Sequence, residues 1–156
     1  MIELKKIADN DLPLLKKWLY TPHVAKWYHN PLDWIYEVEN RNGEFKWIHH
    51  FIAFAADTPI GFCQYYACDD SDEPWAGYKT QGGAYSIDYL IGETDFLRRG
   101  FGKQIVSALT ERILLHDNAK LIVVEPEREN TASRSLLLSC GFSYDSVNDM
   151  FVKKLR

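Results

Sequence analysis

One succession of patterns narrows the folds open to this chain more than any other: a long strand, a basic glycine turn, an amphipathic helix and a short strand. Residues 84–91 read Ala-Tyr-Ser-Ile-Asp-Tyr-Leu-Ile, a run of strand length rich in β-branched and aromatic side chains. Ile105, Val106, Leu109, Ile113 and Leu114 then recur at the spacing of one helical face. Residues 121–124, Leu-Ile-Val-Val, are apolar throughout. A strand with no polar face is covered on both sides, which predicts a buried, parallel position. Between the first strand and the helix lies Leu97-Arg98-Arg99-Gly100-Phe101-Gly102-Lys103. Glycine lets backbone turn tightly and approach a ligand closely. The first amides of a helix are free, and its dipole favours an anion there. Arg98, Arg99 and Lys103 add positive charge. The turn therefore reads as a cradle for phosphate or pyrophosphate, with a solvated basic helix start as the plain alternative. It is neither a P-loop nor a dinucleotide fingerprint, because the required glycine and lysine spacings are missing.

The remaining patterns surround that core. Ile2, Leu4 and Lys6 alternate with Glu3, Lys5 and Ile7 in a strand-like start. Asn10 or Asp11 caps a helix carrying Leu12, Leu15, Trp18 and Leu19, which ends at Thr21-Pro22. Residues 31–40 predict a second helix. Residues 51–56 and 60–68 predict a hairpin about Asp57-Thr58-Pro59. Asn130 caps another helix, stopped at Cys140-Gly141. Residues 142–144 and 150–154 close the chain as a hairpin. The order β-α-α-β-β-β-α-β-α-β-β predicts an α/β (α+β) sandwich around one mixed sheet, with residues 1–156 as one domain.

A chain of 156 residues can bury roughly 70% of its unfolded surface and needs no staple. Its 18 basic and 22 acidic side chains give a net charge of −4, which argues against a nucleic-acid partner and suits a cationic small molecule. Three cysteines, Cys63, Cys68 and Cys140, are too few for a disulfide scaffold and read as reduced thiols. No apolar run reaches the ~20 residues of a membrane span. Residues 1–7 lack a signal peptide's apolar region. A cytoplasmic location is expected, with no membrane partner. Aromatic residues make up 14% of the chain, a hint of a ring-lined pocket.

The glycine turn resembles the acetyl-CoA-binding motif of the GNAT N-acetyltransferases, Gln/Arg-x-x-Gly-x-Gly/Ala, with Leu97 where the family has Gln or Arg. Asn130-x-x-Ser133 followed by Cys140-Gly141-Phe142 resembles the next motif, whose asparagine contacts the pantetheine arm. Trp18-Leu19-x-x-Pro22-His23-Val24-x-x-Trp27-Tyr28 resembles a block of the aminoglycoside 6′-N-acetyltransferases. So do Pro59-Ile60-Gly61-Phe62-Cys63-Gln64-x-Tyr66 and Ile87-Asp88-x-Leu90-Ile91. The likeness runs from Trp18 to Phe142. It implies a GNAT fold: a central mixed, mostly antiparallel sheet flanked by helices, with the strands of Asp88 and Glu125 splayed to admit acetyl-CoA. The cofactor would be held by Tyr89, Leu90, Ile91, Arg98, Arg99, Gly100, Phe101, Gly102, Lys103, Asn130 and Ser133. Acetyl would pass directly to an amine in a ternary complex, by a monomer or a homodimer.

That chemistry needs a group to take a proton, because a free alkyl amine with a pKa near ~10 is protonated at neutral pH. Asp88 interrupts an apolar strand and matches the family's strand aspartate, a base or amine-positioning group; a solvent-facing strand aspartate is the alternative. Glu125 ends the next strand, where ligands gather in open sheets, and matches an acidic substrate contact. Asp69, Asp70, Asp72 and Glu73 precede Trp75 with no Lys or Arg between Gln64 and Tyr78. This loop suits a cation stacked on a ring, or is simply solvated. Asp72 or Glu73 is read as a second base. Trp27 and Tyr28 match the paired aromatics of the family's acceptor site, and without the resemblance read as core. Leu137 stands where many members carry a tyrosine acting as general acid. The oxyanion would then rest on a backbone amide near Leu90. His49 and His50 point to opposite faces of a strand, and no metal is expected. Two rivals remain: a GNAT enzyme for another amine (a protein N-terminus, a lysine or a siderophore precursor), and a non-catalytic acyl-CoA-binding module, which Leu137 favours.

Overall fold

A computed structural model describes the backbone of residues 1–156 and every side chain except those of Thr80 and Gln81. One sheet of seven strands organises it. The strands are β1 (Ile2–Lys6), β2 (His49–Ala55), β3 (Thr58–Ala67), β4 (Ala84–Ile91), β5 (Leu121–Val124), β6 (Ser143–Asp145) and β7 (Met150–Lys154). Their order is β1-β2-β3-β4-β5-β7-β6. Every pairing is antiparallel except β4 with β5, which is parallel as the apolar run of β5 predicts.

Helices cover both faces. On one side lie α1 (Leu12–Leu19), α2 (Pro22–Ala25) and α3 (Pro31–Glu39). Leu15, Trp18, Leu19, Val24, Ile35 and Val38 pack there against Ile52, Phe62 and Leu90. On the other side lie α4 (Phe101–Leu114) and α5 (Thr131–Ser139). Ile105, Val106, Leu109 and Ile113 meet Phe51, Cys63, Tyr65, Ile87 and Ile122 on that face. Alternation along β4 therefore sends Ile87 to the α4 side and Leu90 to the α1–α3 side.

The one-turn helix α2 is absent from the expected order. Thr21 is extended before Pro22, so the proline that stops α1 also starts a new helix at its first position. Two glycines fix how closely β3, β4 and α1 approach. A Cβ on Gly61 would collide with the backbone oxygen of Leu90, and one on Gly92 with the Trp18 ring. The loop after β3 folds on itself: Trp75 is 6% exposed, packs with Cys68, Val123 and Met150, and donates its indole N–H to Ser71 Oγ at 3.0 Å. Among the described residues no helix is long and apolar enough to cross a membrane. The cysteines are all free.

Candidate active site

The parallel junction is short. β4 and β5 pair only at Ala84–Leu121 and Tyr85–Ile122. Beyond them β4 follows β3 and β5 follows β7, so the strands part and open a cleft of about 660 Å³. Residues Ile87–Ile91 of β4 line one wall. Val124, Glu125, Pro126 and Glu127 line the other, with Asn130, Ser133 and Leu136 at the start of α5. His23, Trp27, Tyr28 and Trp34 close it from the α1–α3 side.

The glycine turn forms the floor. Gly100 has φ +83° and precedes α4, so the turn takes a shape that costs an L-residue energy. Leu97, Arg98, Gly100, Phe101, Gly102 and Lys103 all line the cleft. A Cβ on Gly102 would stand 2.5 Å from Leu136 Cδ1, which shows how closely α4 and α5 meet here. The bare first turn of α4 and two cations make a fitting cradle for a pyrophosphate. Arg99, expected there as well, is not among the residues that line the cleft. Its guanidinium lies 5.1 Å from the Phe96 centroid and 5.4 Å from that of Phe101, and donates to Asp95 O, so cation–π attraction holds it outside.

The exposed edge of β4 is polar and already engaged. The Tyr28 hydroxyl donates to Tyr89 O and accepts from Tyr89 N at 3.1 Å, while His23 Nε2 lies 2.7 Å from Ile91 O. The backbone groups of Tyr89 and Ile91 therefore point into the gap. Those of Leu90 point at β3, as the Gly61 contact requires. The backbone amides near Leu90 that face the cleft are therefore those of Tyr89 and Ile91, not that of Leu90 itself. The Tyr89 side chain leans to α5, where its hydroxyl meets Ser133 Oγ at 2.7 Å, and burial pushes its pKa up to about 12. Asn130 Oδ1 caps α5 by accepting from Ser133 N at 3.1 Å. Leu137 is fully buried in the core.

Asp88 opens into the cleft on the α1–α3 side. Burial raises its pKa to about 6, against the hydrogen bond that Gln64 Nε2 donates at 2.9 Å, with Glu73 adding like charge. Burial likewise raises Glu125. A third carboxylate was missed by the sequence reading. Half-buried Glu37 on α3 is raised to about 7 by burial, then by Asp88 and Asp33. Its position on a helix gives no local signal, since a glutamate there is ordinarily solvated.

The acidic loop does not gather as one cation face. Trp75 belongs to the core because its ring fills the space beside Met150, so it offers no stacking face to the cleft. Asp72 lies outside the cleft lining and is exposed. Glu73 is exposed too, yet its charge reaches Asp88 and Glu125. Asp69 lines a separate recess with Asp117, Asn118, Lys120 and Arg156. No group of three His, Cys, Asp or Glu among the described residues is placed to hold a metal ion.

Comparison with known proteins follows the same lines. The sequence profile described as "Acetyltransferase (GNAT) domain" matches residues 8–150. Aminoglycoside N(6′)-acetyltransferase type 1 from Klebsiella pneumoniae is 24% identical over 147 residues, covering 90% of this chain and 73% of the relative. The protein of that name from Serratia marcescens gives the same figures. The solved structure of aminoglycoside acetyltransferase AAC(6′)-Ib with coenzyme A and kanamycin superposes with a TM-score of 0.85 at 22% identity. The match covers 99% of this chain and 95% of that one. The aminoglycoside N(6′)acetyltransferase of Legionella pneumophila gives 0.73 at 22% identity, over 99% and 91%. These likenesses establish the fold.

Proposed function

The chain belongs to the GNAT acetyltransferase family and is an acetyl-CoA-dependent N-acetyltransferase; from that premise we propose that its acceptor is a polycationic small molecule, with the 6′-amine of an aminoglycoside as the leading case. One observation carries the proposal. Asp88 and Glu125 are carboxylates partly withdrawn from water in one cleft, Glu37 lies near enough for the Asp88 charge to act on it, and among the described residues none of the three forms an ion pair. An acceptor bearing several ammonium groups would supply the missing counter-charge. Kanamycin in the complex of AAC(6′)-Ib is such a molecule.

Arg98, Lys103 and the amides opening α4 would hold the cofactor's pyrophosphate, and Tyr89 would meet the arm that lies along β4. Acetyl-CoA, when bound, supplies an acyl group activated as a thioester. The acceptor nitrogen forms the new C–N bond as the C–S bond breaks, and the C–S electron pair leaves on coenzyme A as its thiolate, which a thiol pKa near ~8.5 makes an easy leaving group. The nitrogen's N–H becomes acidic as its lone pair is committed, and Asp88, with a pKa of about 6, takes that proton. The Tyr89 hydroxyl, at about 12, keeps its own proton and serves as a hydrogen-bond donor inside the cleft. No cysteine lines the cleft, which supports direct transfer. The need for acetyl-CoA and three free thiols support a cytoplasmic setting.

The test is thiol release from acetyl-CoA with kanamycin or tobramycin, with and without Asp88→Asn. Turnover lost in the variant, with coenzyme A binding kept in calorimetry, is the expected result. Strong turnover of another amine beside flat rates for aminoglycosides would discard this acceptor. Tight coenzyme A binding with no turnover of any amine would leave a binding module.

A further inference from the structure

His50, Gln64 and Asp88 stand directly opposite one another on β2, β3 and β4. The row lies on the α1–α3 face and ends at the cleft. His50 and Gln64 are buried, 5% and 2% exposed. Gln64 Nε2 donates to Asp88 Oδ2 at 2.9 Å, and His50 Nδ1 lies 3.0 Å from Gln64 Oε1. Their chemistry allows one arrangement when Asp88 is ionised. A carboxylate only accepts, so the amide turns its NH₂ to Asp88 and its carbonyl to His50. The carbonyl also only accepts, so the ring proton sits on Nδ1. Burial lowers His50 to about 4, so the ring is neutral and Nε2 is a bare lone pair. Nε2 has no hydrogen-bond partner among the described residues. A buried bare acceptor costs less than a buried unpaired N–H, so this side of the ring favours the same tautomer.

We propose that His50 is a positioning residue for acyl transfer: its Nδ1–H fixes which end of the Gln64 amide faces Asp88, and so holds that carboxylate ionised and in one rotamer. The inference rests on reading Asp88 as the proton acceptor. The other groups acting on Asp88 are Glu73 from the loop after β3, Glu37 from α3, and the hydroxyls of Tyr28, Tyr66 and Tyr89. The charged ones are acidic, and Gln64 alone among the named partners of Asp88 favours its ionised form. The charged neighbour of His50 is Arg41 and the titratable one His49, itself lowered by burial, and the ring lies 6.1 Å from that of Phe62. Without Nδ1–H only the charge of ionised Asp88 still holds the Gln64 carbonyl away. The amide can then turn over when Asp88 takes a proton, and a carbonyl that accepts the acid's O–H favours the protonated form.

Two variants test this. His50→Phe keeps a ring against Phe62 and removes both nitrogens. His50→Asn restores an N–H near the place of Nδ1. In the wild-type protein, ¹⁵N ring shifts should show a protonated Nδ1 and a bare Nε2. His50→Phe should lower kcat about tenfold with KM within about twofold. It should also move the acid limb of the pH profile, and the carboxyl titration of Asp88 followed by ¹³C NMR, to higher pH. His50→Asn should recover most of both. A ring protonated on Nε2, or an Asp88 titration unchanged in His50→Phe, would overturn the proposal. If no amine is turned over yet Asp88 still titrates higher in His50→Phe, the acyl-transfer reading falls and the positioning of Asp88 by His50 stands.

Discussion

The two edges of β4 are made of the same eight residues and do different work. One edge pairs with β3 at seven successive positions, from Tyr85 to Ile91. The other pairs with β5 at two and is then met by the side chains of Tyr28 and His23. On the paired edge the ladder runs backbone to backbone, and Gly61 is required because no Cβ fits against Leu90. On the open edge the backbone is reachable, and the glycine that matters, Gly100, is required by its φ rather than by lack of space. Backbone pairing is concentrated at the first edge, and the second is left facing the cleft.

Asp88→Asn, beside the open edge, should show the largest effect. The loss of thiol release should reach about 10²–10⁴-fold if Asp88 is the proton acceptor. The same change should stabilise the fold. The pKa of Asp88 is raised to about 6, so folding disfavours its charged form; that cost is present above pH 6 and fades as pH falls towards 4. Thermal melts should find the variant more stable by about 1 kcal/mol at pH 8, with the difference closing near pH 4. A destabilised variant at pH 8 would break the comparison. Gly61→Ala comes next, at about 3 kcal/mol in urea melts, because backbone cannot move aside cheaply. The protein that stays folded should keep the wild-type pH profile of turnover. Tyr28→Phe should cost about 1–2 kcal/mol, since Tyr89 loses partners for both its N–H and its C=O. Hydrogen exchange should quicken at the Tyr89 amide and not at that of Leu90. Smallest is Gly100→Ala, about 1 kcal/mol from the positive φ, read beside weaker coenzyme A binding in calorimetry.

The strands were legible because periodicity is local: 84–91 and 121–124 fell where the patterns placed them, and the fully apolar β5 is buried between β4, to which it runs parallel, and β7, to which it runs antiparallel. The glycine turn was legible because two glycines and three cations in six residues have few other uses. What failed depended on register or packing. The backbone amide could be expected only somewhere near Leu90, because the pairing with β3 alone decides that those of Tyr89 and Ile91 face the gap. Arg99 looks like Arg98 until Phe96 and Phe101 are seen on either side of it. Trp75 follows four carboxylates, yet its partner Met150 is 75 residues away and no local pattern joins them. Glu37 and the row ending in His50 were invisible for the same reason. Each acquires its meaning from a strand or helix distant in the chain.

The Tyr28 hydroxyl on Tyr89 has a consequence for affinity. A ligand that uses the Tyr89 amide does not find it solvated; it must exchange with a phenol already seated there. The gain on binding is then the difference between two hydrogen bonds rather than the whole of one. Tyrosine and ligand become competitors for a single amide, and a change that holds Tyr28 more firmly, at its 5.1 Å edge contact with Trp34 for instance, weakens the incoming molecule without touching it.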